Sequence, residues 1–150
     1  MPSLIPSLNS CIARMTSGEK RFAVRLEQKL DDDYLVWYDV PIGKKQLHPD
    51  FIVLHPLRGL LVLEVKDWKI DTIKNVTKAE WTIFDGDRQK HVKSPLEQAR
   101  NYALYAVKLL ERDADLSMRS LVPTLANVLF PTAMVWYLPI SPEQCLINKV

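Results

Sequence analysis

The chain is poor in glycine and cysteine, with four of the first and two of the second among 150 residues. Gly18, Gly43, Gly59 and Gly86 each stand alone, so there is no glycine-rich loop to cradle a phosphate, and no ATP-binding motif is present. Cys11 and Cys145 lie near opposite ends, without zinc-ligand spacing and without the density of a disulfide framework, which points to a reducing, cytoplasmic setting. Continuous apolar stretches of membrane-spanning length are also missing. The N-terminus, with Pro2 and Pro6, is neither a secretory signal nor a membrane span and reads as an extended lead-in. Internal repeats and low-complexity segments are absent. Strong charge is lacking too: the formal net charge of +2 is too small to imply a nucleic-acid partner by itself. What is there is 47% hydrophobic content, enough in a chain of this length for one core and one domain.

The most telling stretch is His48 to Trp68. Phe51-Ile52-Val53-Leu54 and Leu60-Leu61-Val62-Leu63 are two apolar, strand-like runs, and Pro56-Leu57-Arg58-Gly59 between them is a turn signal, so the stretch reads as a hairpin. Folding about that turn brings Asp50 opposite the end of the second strand, where Glu64 and Lys66 lie. Alternation puts Glu64 and Lys66 on one side and Leu63 and Val65 on the other. Residues 60 to 65 are apolar on both faces except for Glu64, the mark of a central strand buried on both sides. Two carboxylates facing each other there repel unless a cation or a proton holds them. A hard divalent cation such as Mg²⁺ takes one or two protein carboxylates and keeps waters or phosphate oxygens in its other positions. Asp50 and Glu64 suit that role, and Lys66 is placed to orient a water or to steady developing negative charge. The plain alternative is a structural ion pair between Glu64 and Lys66.

Two helices flank this hairpin in sequence. Ser94-Pro95-Leu96-Glu97 reads as a capping box with proline at the first helical position. On that helix Gln98, Tyr102 and Tyr105 share one face, while Ala99, Ala103, Ala106 and Leu110 line another that suits packing on a sheet. Upstream, Ser17-Gly18-Glu19 opens a helix of roughly Glu19 to Leu30, striped by Phe22, Ala23, Leu26 and Leu30. Glu19 in its first turn is explained by the helix dipole alone. Further strands are expected at Tyr34 to Val40, Trp81 to Phe84 before an Asp85-Gly86-Asp87 turn, and Ala133 to Tyr137. Ser141-Pro142-Glu143 reads as a helix start that has barely begun at Val150, as if the chain were truncated.

Taken in order, Gly18-Glu19, His48-Pro49-Asp50, Glu64-Val65-Lys66 and Gln98-Ala-Arg-Asn-Tyr102 resemble the nuclease-related domain (NERD), a branch of the PD-(D/E)XK nuclease superfamily. The resemblance spans about Gly18 to Val135, and no motif position departs from the pattern. It implies an α/β fold with a restriction-endonuclease-like three-layer core, a central mixed β-sheet flanked by helices. The domain would occupy residues 18–140, with 1–17 as lead-in and 141–150 as the start of a following segment. Asp50 and Glu64 would hold Mg²⁺ or Mn²⁺, with the Val65 carbonyl as a third ligand and Glu19 binding through a water or shaping the site. Lys66 would position or stabilise, and Gln98 and Tyr102 would contact the substrate backbone or buttress the lysine. The implied activity is metal-dependent hydrolysis of nucleic acid, DNA foremost, in processing or repair, coupled to a C-terminal helicase-type region. The alternative is a catalytically silent nucleic-acid-binding or docking module of the same fold.

Basic residues fit a rim around such a centre: Arg21 and Arg25 on the first helix, Lys44 and Lys45 in the loop before Asp50, and Lys69 and Lys74 after Glu64. Taken alone, each cluster is more simply read as a solvated face. Trp68 either stacks on a base or, the reading we favour, anchors the strand end. His48 either assists near Asp50 or is a hydrogen-bonded loop residue, the plainer reading. His91 has no partner that the sequence names.

Overall fold

The computed structural model describes residues 2–112 and the strand at 132–137. The helix start expected at residue 141 lies outside the described residues. The described elements are β1 (Ser3–Ile5), α1 (Leu8–Cys11), α2 (Ser17–Lys29), β2 (Leu35–Tyr38), β3 (Phe51–His55) and β4 (Gly59–Lys66). After a 3₁₀ turn at Ile70–Thr72 come β5 (Ile73–Val76), β6 (Glu80–Asp85), β7 (Arg88–Lys93), α3 (Pro95–Leu110) and β8 (Thr132–Tyr137).

One sheet runs in the order β1-β2-β3-β4-β8. Its middle is antiparallel, and its flanks are parallel, β1 to β2 and β4 to β8, so the sheet is mixed. The apolar runs become its centre because they can be buried on both faces. Phe51 and Val53 of β3, Leu63 and Val65 of β4, and Val36 and Tyr38 of β2 form one core with Phe22 and Ala23 of α2. The alternating partners Ile52 and Val62 are buried against the other face. There α3 packs on β4 and β8, through the buried Ala99, Ala103 and Ala106, whose small side chains allow a close approach. Helix, sheet and helix thus make the three layers of a nuclease-like α/β fold.

The lead-in is less loose than its prolines suggest. β1 adds an edge strand beside β2, and Cys11 and Met15 are buried in the α2-side core. α2 starts at Ser17 and is capped by Thr16: the Thr16 hydroxyl accepts from the Glu19 N–H at 3.3 Å, and the Glu19 carboxylate accepts from the Thr16 N–H at 3.1 Å, a complete capping box. At α3 only half of the expected box forms. Ser94 Oγ accepts from the Glu97 N–H, but the Ser94 N–H donates to the Ala79 carbonyl at 2.9 Å and has nothing left for the Glu97 side chain.

β2 is shorter than the Tyr34 to Val40 run because Asp39 turns left-handed, at φ 48°, a conformation that aspartate tolerates better than most residues. Between Asp39 and Asp50 the loop closes with an Ile42 to Leu47 bridge and a left-handed Gly43, at φ 62°. A Cβ on Gly43 would stand 2.6 Å from the Tyr105 ring and 2.8 Å from Leu109, so the loop is pressed against α3. β5, β6 and β7 form a separate antiparallel sheet, joined at Gly86 by a tight turn. Only β6 was visible as a strand in sequence, since β5 and β7 are mostly exposed and carry few apolar residues.

Gly43 and Gly86 make a pair of forecasts. Gly86→Ala meets nothing within 4 Å and loses only the left-handed backbone preference, about 1 kcal/mol. Gly43→Ala adds the clash with Tyr105 and Leu109 and loses about 2–4 kcal/mol in urea unfolding. Equal losses would mean that the loop is not seated on α3.

Candidate active site

The hairpin register decides where the acids meet. Phe51 pairs with Leu63, so Asp50, one residue earlier, faces Glu64, one residue later. Pro49 then stands across from Val65 and has no N–H to give to that strand end. The Asp50 carboxylate turns back instead and accepts from the Val65 N–H at 2.6 Å. Glu64 is 2% exposed, a carboxylate inside the central strand. Lys66, on the same side, donates from Nζ to Glu64 Oε1 at 2.5 Å. Glu64 Oε2 is buried with no hydrogen-bond partner.

A third carboxylate arrives from α2. Glu19 is fixed by its capping box, and its Oε2 also accepts from the Tyr38 hydroxyl at 2.8 Å. Burial raises the Tyr38 pKa, and the hydrogen bond to Glu19 raises it further. The charge of Glu19 reaches both other acids and pushes their pKa values upward. For Asp50 the main cause is burial, then the charge of Glu64; the Val65 N–H and Lys66 oppose them, and the carboxyl is pushed up to about 7. Glu64 is raised chiefly by burial, against the pull of Lys66. Desolvated acids crowded around one lysine are therefore held in a state that a proton or a cation would relieve.

The remaining candidates have partners of their own or stand exposed. Gln98 donates to the Tyr102 hydroxyl at 3.0 Å, so the two residues meet along their shared face of α3, each half-buried. One turn on, Lys45 lies over the Tyr105 ring, 5.7 Å from its centroid, next to the exposed Lys44. Arg25 and Lys69 are exposed. Arg21 is half-exposed but donates to Asp67 at 2.7 Å. Asp67 itself is held below the usual carboxylate range, first by the Ser17 hydroxyl and then by Arg21. Trp68 faces Trp81 at 6.3 Å, as a strand-end anchor would. His48 is hydrogen-bonded to Asp39 at 2.8 Å, and His91 meets Glu80 at 2.9 Å. The sequence reading missed Tyr38 and Asp67. It also missed the Thr16-x-x-Glu19 cap, whose spacing was there to be read.

A family model described as the nuclease-related domain matches residues 14–128. The chain belongs to the nuclease-related domain family. The match takes in Glu19, Asp50, Glu64, Lys66 and Gln98, and it begins just before the Thr16 cap. No curated protein and no solved structure matches the chain. NERD membership implies a nuclease-related role with nucleic acid as the partner, and a divalent metal is common in domains of this kind. The donor set fits such an ion: the ligand atoms are carboxylate oxygens, and Glu64 Oε2 is a buried acceptor with no donor. Among the described residues no three His, Cys, Asp or Glu side chains converge into a ready metal cage. Two carboxylates suit a hard cation that takes one or two protein ligands and keeps its waters. Among the described residues no helix of this NERD domain is long and apolar enough to cross a membrane.

The sign of the pH dependence follows from raised carboxyl pKa values. An acid held above its unfolded value stabilises the fold most when protonated in both states, and that contribution is lost as pH rises through the folded pKa. For Asp50 the loss runs from about pH 4 to about pH 7, then levels off. Without metal, Asp50→Asn therefore flattens this slope and raises Tm by about 2–6 °C above pH 7. Thermal unfolding in a chelator across that pH range checks it; a variant less stable than wild type above pH 7 contradicts the assigned strain.

Proposed function

We propose that this NERD domain is a metal-dependent nuclease that hydrolyses phosphodiester bonds, with DNA as its substrate in processing or repair. The observation that carries the reading is the Glu64 carboxylate: buried in the central strand, neutralised by Lys66 at one oxygen and left without a donor at the other. An unsatisfied buried carboxylate oxygen costs several kcal/mol as a mere structural device, whereas a divalent cation makes use of it. Asp50 and Glu64 would be the ligands for Mg²⁺ or Mn²⁺, with the Val65 carbonyl as a third. Held there, such an ion would supply a polarised water and offset negative charge on the phosphodiester.

The chain's own residues have separable parts in this reading. Lys66, already aligned on Glu64, offers an ammonium group to the negative charge that grows on the scissile phosphate. Glu19, oriented by Thr16 and Tyr38, completes the acidic wall and would bind the ion through a water or shape the site. Asp50, with a pKa of about 7, loses its proton readily near neutrality when a cation replaces it. Gln98 and Tyr102 lie along the substrate path on α3 and steady its backbone. Lys44, Lys45, Arg21, Arg25 and Lys69 hold phosphates at the rim, an attraction that weakens with salt. A helicase-type region in the same polypeptide would feed strands to the site, and a cytoplasmic location accords with such a role.

Cleavage of labelled single-stranded, double-stranded and branched DNA with Mg²⁺ or Mn²⁺ tests the proposal. Wild type cuts, and Glu64→Ala and Lys66→Ala each lower the rate by about 100-fold or more. Binding without cutting, by wild type and variants alike, would make this a silent recognition module in which the Glu64 to Lys66 pair only organises the fold. Cutting that survives Glu64→Ala would place the chemistry elsewhere.

A further inference from the structure

Asp67 follows the Glu64-Val65-Lys66 strand end directly, and it has no part in the site described above. Its carboxylate reaches across to the first turn of α2. The Ser17 hydroxyl donates to Oδ2, Arg21 donates to Oδ1 at 2.7 Å, and the Gly18 backbone N–H donates as well. The approach is tight at position 18. A Cβ there would lie 3.1 Å from Asp67 Cβ and 3.2 Å from Cγ, so glycine lets the strand end and the helix end touch. This explains the glycine of the Gly18-Glu19 pair on steric grounds, without calling on its backbone freedom.

The first turn of α2 is thus held from two sides. Thr16 and Glu19 close the capping box within the helix, and Asp67 takes the Ser17 hydroxyl and the Gly18 N–H from outside it. With that turn fixed to the end of β4, the next residue, Glu19, is directed at Tyr38 and at the acids of the hairpin. We propose that Asp67 is a positioning residue of the metal centre: it clasps the first turn of α2 to the end of β4 and so holds Glu19 against the Asp50 and Glu64 pair. The proposal rests on the metal-centre reading given under Proposed function. A partly exposed ion pair such as Arg21 to Asp67 adds little stability by itself. The clasp's main effect is therefore geometric, since it sets where Glu19 stands.

Mn²⁺ affinity, followed by electron paramagnetic resonance of the free ion on the full chain, separates the outcomes. Asp67→Ala weakens Mn²⁺ binding about 10-fold, as loss of an outer orienting partner does. Asp67→Asn, which keeps an oxygen for Ser17 and Gly18 but loses the charge for Arg21, recovers part of that loss. Glu19→Gln also weakens binding, and Glu19→Gln/Asp67→Ala binds no more weakly than Glu19→Gln alone, because Asp67 acts through Glu19. A merely structural role would not produce that non-additivity. Gly18→Ala, which pushes the Asp67 carboxylate away, repeats the loss and carries the test if Asp67→Ala does not fold. Wild-type affinity in Asp67→Ala, or a double variant whose loss is the product of the two single losses, overturns the proposal while leaving the metal centre standing. A wild-type chain that binds no Mn²⁺ overturns the metal-centre reading itself, and the positioning role with it.

Discussion

A carboxylate sealed inside the middle strand of the sheet is the constraint around which this domain is built. Glu64 lies where an isoleucine or valine would be expected, between β3 and β8 and beneath a helix layer. Removing that charge from water is costly, and the single contact with Lys66 offsets only part of the cost, because the second oxygen has no donor. Asp50 across the hairpin and Glu19 from the helix make matters worse for an ion-free protein by adding like charge. Such strain is retained where it serves chemistry, and carboxyl groups pushed far from their ordinary pKa are commonly functional.

The rest of the local structure can be understood as keeping these acids in register. The tight turn before Gly59 fixes the pairing of β3 with β4, and a slip of one residue would send Glu64 to the opposite face. Pro49 ends the ladder just before the acids, and Asp39 ends β2 at the same height, donating its N–H to the Asp50 carbonyl at 3.1 Å. Tyr38, buried in the α2-side core, spends its hydroxyl on Glu19 and so ties packing to electrostatics. The three alanines of α3 allow that helix to lie close on β4, which brings Gln98 and Tyr102 to the Glu64 side of the sheet. The alternation of side chains along β4 is what places the apolar core on one side and the ionisable groups on the other.

Much of this was legible in the sequence, for identifiable reasons. The two apolar runs and the turn between them carry hairpin, register and the facing of Asp50 and Glu64 together, because strand geometry leaves few alternatives. α2 and α3 announced themselves through a proline, an N-cap and an apolar stripe, whereas the four-residue α1 in the lead-in is too short to show a periodic signal. Elements whose apolar signal is weak did not: β1 is three residues long, and β5 and β7 are held by backbone pairing with β6 rather than by buried side chains. The polar contacts that hold Glu19 were not legible either. The Tyr38 to Glu19 bond and the Asp67 clasp join residues separated by 19 and 50 positions, a distance over which no local pattern reports. The two capping boxes show the same limit from the other side: Ser94 and Glu97 have the right spacing, yet Ala79 takes the donor that the box needs.

The central claim is that Glu64 is buried in readiness for a cation. Crystals of the domain soaked in Mn²⁺ and measured for anomalous scattering test it most directly. The account predicts one strong peak between the Asp50 and Glu64 carboxylates, with metal to oxygen distances of about 2.1 Å and one contact made by the oxygen that Lys66 does not reach. No peak there, with Glu64 Oε2 still lacking a partner or protonated beside Asp50, would contradict it and leave the buried acid as a structural ion pair.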